Sequence, residues 1–107
     1  MRNQTFQAHV IELSSAPPVR LAADHPGVDA LRRAFNAAYG ATPVLIREGG
    51  SIPVTIDFQE ALDTRLLVTG FGLPDDALHS PNERMSLDQY HRGLEAVIHL
   101  MHELATA

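Results

Sequence analysis

From Ser86 to Leu104 the chain reads SLDQYHRGLEAVIHLMHEL, and Leu87, Tyr90, Leu94, Val97, Met101 and Leu104 recur at helical spacing. An apolar stripe of that length needs cover, so this segment constrains the whole chain to a layered architecture. Ser86 and Gln89 have capping-box spacing at the helix start, and Met85 is placed to pack on Tyr90 as a hydrophobic staple. A sheet is the expected cover, because short apolar runs alternate with helical patterns upstream.

The first run, TFQAHVIEL, alternates: Phe6, Ala8 and Val10 face one way, and Gln7, His9 and Ile11 the other. Period-two alternation predicts a strand. The prolines of SSAPPV cannot continue a ladder, so they mark a boundary. Residues 24–39 are predicted to form a helix, with Asp24 as cap and Pro26 in the first turn. Val28, Leu31, Phe35 and Ala38 line its apolar face, and Gly40 suits the left-handed residue that closes it. PVLIR (43–47) and RLLVTG (65–70) read as buried strands of a mostly parallel sheet. The pattern of SIPVTIDFQEAL is divided: Ile52, Val54, Ile56 and Phe58 alternate as in a strand, while Ser51, Pro53 and Glu60-Ala61-Leu62 favour a helix. The expected fold class is α/β.

Composition narrows the function classes. A net charge of -5, with no basic stripe, argues against nucleic acid as partner. The chain has no cysteine, which removes disulfides and thiolate metal sites and fits a reducing cytoplasm. The N-terminus lacks a signal-peptide core, and no apolar run approaches the roughly 20 residues of a membrane span. A cytoplasmic protein is the expectation.

Two segments carry chemistry. In LPDDALHSPNER, His79 follows a strand and precedes a helix, where α/β proteins place their sites. A neutral imidazole is the commonest zinc ligand, and Asn82 and Glu83 can hydrogen-bond backbone or ring around it. A lone loop histidine is more often an ordinary surface residue, and one ligand cannot hold a catalytic metal. Asp75 and Asp76 are candidate partners that equally suit capping of the turn. His99 and His102 are spaced as a helical pair but border the apolar stripe, while His9, His25 and His91 have no partner in sequence. In IREGGSIP, Gly49 and Gly50 expose bare backbone N–H groups, and Arg47 offers a planar fork to a carboxylate. The bland reading is a tight turn with a surface arginine. Placed at one sheet edge, a metal ligand beside a carboxylate clamp suggests hydrolysis of an amide next to a free carboxylate.

IREGGSIPV, LLVTGFGLPDD and LHSPNERMSLDQYHRGLEAVIHLMHEL, in that order, resemble the C-terminal part of a zinc-dependent peptidase family. That family includes acetylornithine deacetylase, succinyl-diaminopimelate desuccinylase, glutamate carboxypeptidase, carnosinase and bacterial dipeptidases. The REGGSIP run is most similar to the carnosinase and dipeptidase branch. The resemblance implies an incomplete layered sandwich of short, mostly parallel strands with flanking helices. Residues 1–16 would supply the last strand of a lid domain, and residues 17–107 the closing part of the catalytic domain. It also implies a helix for 51–62.

On the same footing, His79 matches a metal-ligand histidine. Arg47 matches a clamp for the substrate carboxylate, and Gly49, Gly50 and Ser51 match the loop lining the substrate site. Asn82 and Glu83 match structural support of the metal loop. The family's other zinc ligands, its bridging carboxylate, its glutamate base and its lid histidine have no counterpart here. The expectation is a fragment of a two-zinc dipeptidase or N-acyl amino acid amidohydrolase that is inactive alone and binds metal weakly. It would self-associate through the exposed strand at 5–13. A stand-alone binding or assembly module on the same scaffold is the alternative. A small metal protein using His79, His99 and His102 is a third reading.

Overall fold

In a computed structural model, residues 6–13, 15–47 and 52–106 are described, and three helices lie among them. They are α1 (Val28–Tyr39), α2 (Val54–Leu62) and α3 (Leu87–Ala105). The α/β expectation is overturned: no strand and no sheet forms among the described residues. Residues 6–13, 43–47 and 65–70 are irregular. The reason is that a strand exists only as a pair. Alternating or continuous apolar residues report a wish for burial, but a ladder requires a neighbour for the backbone N–H and C=O groups. None of these segments has one here, and Phe6, Val10, Val44 and Ile46 stand exposed.

Two helices were legible in detail. Gly40 closes α1 in the left-handed region at φ 69°, its N–H donating to Asn36 O. Ser86 caps α3 by accepting the Gln89 N–H at 3.0 Å. The second half of the expected capping box does not form. Instead the Gln89 side-chain amide donates to Phe71 O at 2.7 Å, tying α3 to the segment before its loop. The divided reading of 52–62 resolves to helix over Val54–Leu62, with Ser51 outside the described residues.

The start of α1 differs from expectation. Asp24 does not cap it; its carboxylate pairs with Arg65 at 2.7 Å. His25, unassigned from sequence, shapes the turn. Its Nδ1 accepts the Gly27 N–H at 2.9 Å, which leaves Nε2 to carry the proton and donate to Arg65 O at 3.0 Å. A single imidazole thus fastens the helix entrance to a segment 40 residues away.

Among the described residues, α1 and α3 are the helices that pack on each other. Their contact is built on small side chains. Ala30 and Ala34 of α1 and Gly93 and Ala96 of α3 are buried, together with Val28 and Leu31. Burying Val28 and Leu31 contributes about 2 kcal/mol each. Arg33 and Glu103 bridge the same two helices at 2.6 Å. Phe71 enters beside them, stacking on Phe35 with centroids 5.5 Å apart and lying 6.5 Å from Tyr39.

The stripe from Leu87 to Leu104 was expected to be covered. It is not: Leu87, Tyr90, Leu94, Val97, Met101 and Leu104 are all exposed. The small-residue face of α3, rather than its large apolar face, meets α1. The radius of gyration, 18.7 Å, exceeds the roughly 13 Å of a compact domain of this length, in keeping with so small a core.

Candidate functional site

The loop between Gly70 and Ser86 is organised by its own backbone. Leu73 O accepts the Asp76 N–H at 3.1 Å, and Ala77 O accepts the Ser80 N–H at 3.1 Å. Ser80 O accepts the Glu83 N–H at 3.3 Å, and Arg84 N–H returns to Asp76 O at 2.9 Å. The chain from Asp76 to Arg84 is therefore a closed ring of successive turns. Within it Ala77, His79 and Asn82 hold positive φ values of 55°, 57° and 63°. Asparagine tolerates the left-handed region; alanine and histidine occupy it at a cost of about 1 kcal/mol or more each.

His79 sits inside this ring with its side chain exposed. Asn82 and Glu83, expected to support the loop, are also exposed. Glu83 contributes through its backbone N–H, and Asn82 through its left-handed backbone. Sequence left Asp75 and Asp76 as possible ligands or turn caps, and the structure separates them. Asp75 is exposed and touches Arg84 at 3.4 Å. Asp76 is only 3% exposed, and its Oδ2 accepts the Leu73 N–H at 2.7 Å. Asp76 thus takes the turn-cap alternative that the sequence left open for the pair.

Arg47 is exposed at the end of its irregular segment. Gly49, Gly50 and Ser51 lie outside the described residues. Two surface hollows stand out, and neither His79 nor Arg47 lines them. One is a hollow of mixed character lined by Arg20, Leu21, His25, Gln59, Arg65 and Leu66. The other is an apolar groove lined by Phe71, Met85, Tyr90, Gly93, Leu94 and Val97; Met85 and Tyr90, the expected staple pair, both border it and stay half exposed.

No group of three or more His, Asp or Glu side chains converges among the described residues in a way that would hold a metal ion. His99 stands 3.8 Å from Glu95 on the same helix, and His102 is exposed. A hydrolytic zinc needs about three protein ligands. The described residues therefore do not fit a metal by themselves. Among the described residues the Tyr39 phenol is displaced: burial raises its pKa above the usual 10.0, Arg92 pulls it down, and Asp88 adds to the rise. Its hydroxyl is closed off from solvent and has no hydrogen-bond partner among the described residues.

The geometry is that of a presenting loop: a ring of turns, anchored at its base, that holds one imidazole outward on a two-helix support. Comparison with known proteins supplies the class. The model of peptidase family M20/M25/M40 matches residues 6–103, and the chain belongs to that family. It is 41% identical over 83 residues to the Cys-Gly metallodipeptidase dug1 of Schizosaccharomyces pombe, a match covering 78% of this chain and 17% of that protein. It is 40% identical over 68 residues to the Cys-Gly metallodipeptidase DUG1 of Saccharomyces cerevisiae, covering 64% of this chain and 14% of that one. With the Beta-Ala-His dipeptidase of Homo sapiens it shares 32% identity over 76 residues, 71% of this chain and 15% of the human protein. The chain thus spans a small part of the length of the curated relatives it matches. No solved structure matches it. No helix among the described residues is long and apolar enough to cross a membrane.

Proposed function

We propose that this chain is the closing segment of a metal-dependent dipeptidase or N-acyl amino acid amidohydrolase, acting on an amide bond next to a free carboxylate. The observation that carries the reading is the presenting loop: His79 is held outward in a strained left-handed backbone, inside a chain matched along its length to a peptidase family. Such strain persists only where surrounding contacts over-determine it, and it concentrates at functional sites. The dipeptidase names of the relatives support the substrate class.

In this reading His79 is one ligand of a zinc centre that supplies the Lewis-acid chemistry of hydrolysis. Arg47 holds the substrate carboxylate by its planar fork, and Gly49, Gly50 and Ser51 line the same rim. Asn82 and Glu83 support the loop. Residues 17–107 belong to the hydrolytic domain and residues 1–16 to the lid. One imidazole fixes no metal geometry, so the chain alone does not hydrolyse peptides.

The test uses the full-length enzyme that contains this segment. His79→Ala is expected to lower bound metal by one equivalent and dipeptide turnover by about a hundredfold or more. Arg47→Ala should weaken KM for dipeptides far more than for their C-terminal amides. Unchanged metal content in the His79 variant would overturn the assignment.

A further inference from the structure

The inference concerns Asp76 and rests on the reading of His79 as the functional group of its loop. We propose that Asp76 is a positioning residue: its buried carboxylate locks the ring of turns that presents His79.

Three hydrogen bonds converge on this one residue. Its Oδ2 accepts the Leu73 N–H at 2.7 Å. Its own N–H donates to Leu73 O at 3.1 Å, and its carbonyl accepts the Arg84 N–H at 2.9 Å. The first two fix how the chain enters the ring, and the third fixes how it leaves. Everything between, including His79 at φ 57°, spans two ends held by the same residue. Ala77 and His79 both occupy a backbone region that L-residues with a Cβ avoid. Alanine has no polar group to stabilise it, and among the described residues the His79 ring makes no hydrogen bond, so the constraint comes from outside the ring's apex.

The two neighbouring aspartates make an internal comparison. Asp75 is exposed and reaches only Arg84, whereas Asp76 is almost wholly covered. A covered carboxylate is costly unless it is hydrogen-bonded. Asp76 spends its reach on a backbone amide at the foot of the loop and not on a position open to a ligand. Gly72 lies beside it: a Cβ built there would sit 3.8 Å from Asp76 Oδ2, ordinary contact, so the carboxylate does not crowd that backbone.

The experiment is NMR on the full 107-residue chain, comparing Asp76→Ala, Asp76→Asn and Asp75→Asn. In Asp76→Ala, amide exchange at Leu73 and Arg84 should accelerate by about tenfold or more. The His79 Cα and Cβ shifts should leave their left-handed values, while amides of α1 and α3 keep their protection. Asp76→Asn retains an acceptor oxygen and should restore the His79 shifts. Asp75→Asn should leave them untouched.

Should Asp76→Ala fail to fold, two further measurements decide. One is the scalar coupling across the Leu73 N–H to Asp76 carboxylate bond in the unaltered chain, and the other is the Asn variant. Loss of that coupling, or His79 shifts that ignore Asp76→Ala, would overturn the positioning role. A separate failure is distinguishable: if the shifts respond as expected but His79→Ala leaves metal content unchanged in the full-length enzyme, Asp76 shapes a loop without a catalytic task.

Discussion

The ring of Phe71 lies directly over Gly93: a Cβ built on that glycine would meet Phe71 Cδ2 and Cγ at 3.1 Å. The contact explains why a glycine stands mid-way along α3. It lets the segment before the His79 loop lie flat on the helix, where Gln89 then holds the Phe71 carbonyl.

Gly93→Ala should therefore destabilise the chain, against the general rule for helix interiors. Alanine would ordinarily gain about 1 kcal/mol there. Phe71 has little room to yield, since Phe35 stacks on it at 5.5 Å. Overpacking of this kind costs about 1–3 kcal/mol. Thermal denaturation should show a net loss of about 1 kcal/mol; a raised melting temperature would mean that Phe71 moves freely.

Tyr39 predicts an alkaline limb. Its hydroxyl is orphaned, and burial raises its pKa above 10.0. Below pH 10.0 the folded and unfolded phenols both keep their proton, and the associated stability is fully present. Above it the unfolded chain loses the proton first, so stability falls with pH until the folded phenol also ionises. Tyr39→Phe should flatten that limb and raise stability at neutral pH by about 1 kcal/mol, because no partner is lost. Urea titrations at neutral and alkaline pH read both effects.

The uncovered stripe of α3 predicts self-association. The earlier expectation placed it on a strand at 5–13, but residues 6–13 form none. Leu94, Val97, Ile98 and Met101 offer a longer continuous apolar face. Exposed patches of this kind mark association surfaces. Sedimentation velocity should show a coefficient that climbs with concentration, and Leu94→Glu with Met101→Glu should abolish the climb. A concentration-independent monomer in the unaltered chain would refute it.

Helices were the legible part of this sequence because their signals are local. Gly40 and Ser86 announce their caps by residue type alone, and the structure uses both. The three strand readings failed for the opposite reason: 6–13, 43–47 and 65–70 have apolar patterns, but pairing depends on a partner that the pattern does not supply. The α3 stripe misled similarly. Large residues marked a face to be covered, while the contact actually made runs through Gly93 and Ala96, which carry little hydrophobic signal.

At the candidate site, His79 could be picked out by its setting. Its left-handed backbone could not, and the choice between ligand and turn cap at Asp75 and Asp76 stayed open, since both are decided by hydrogen bonds that only the folded loop reveals.

The bare leucine and methionine face of α3 also decides how a cell would treat this polypeptide. Holdase chaperones and quality-control proteases recognise such surfaces in nascent or unassembled proteins. Its survival in vivo becomes a race between burial of that helix and triage, so abundance would report assembly as much as synthesis.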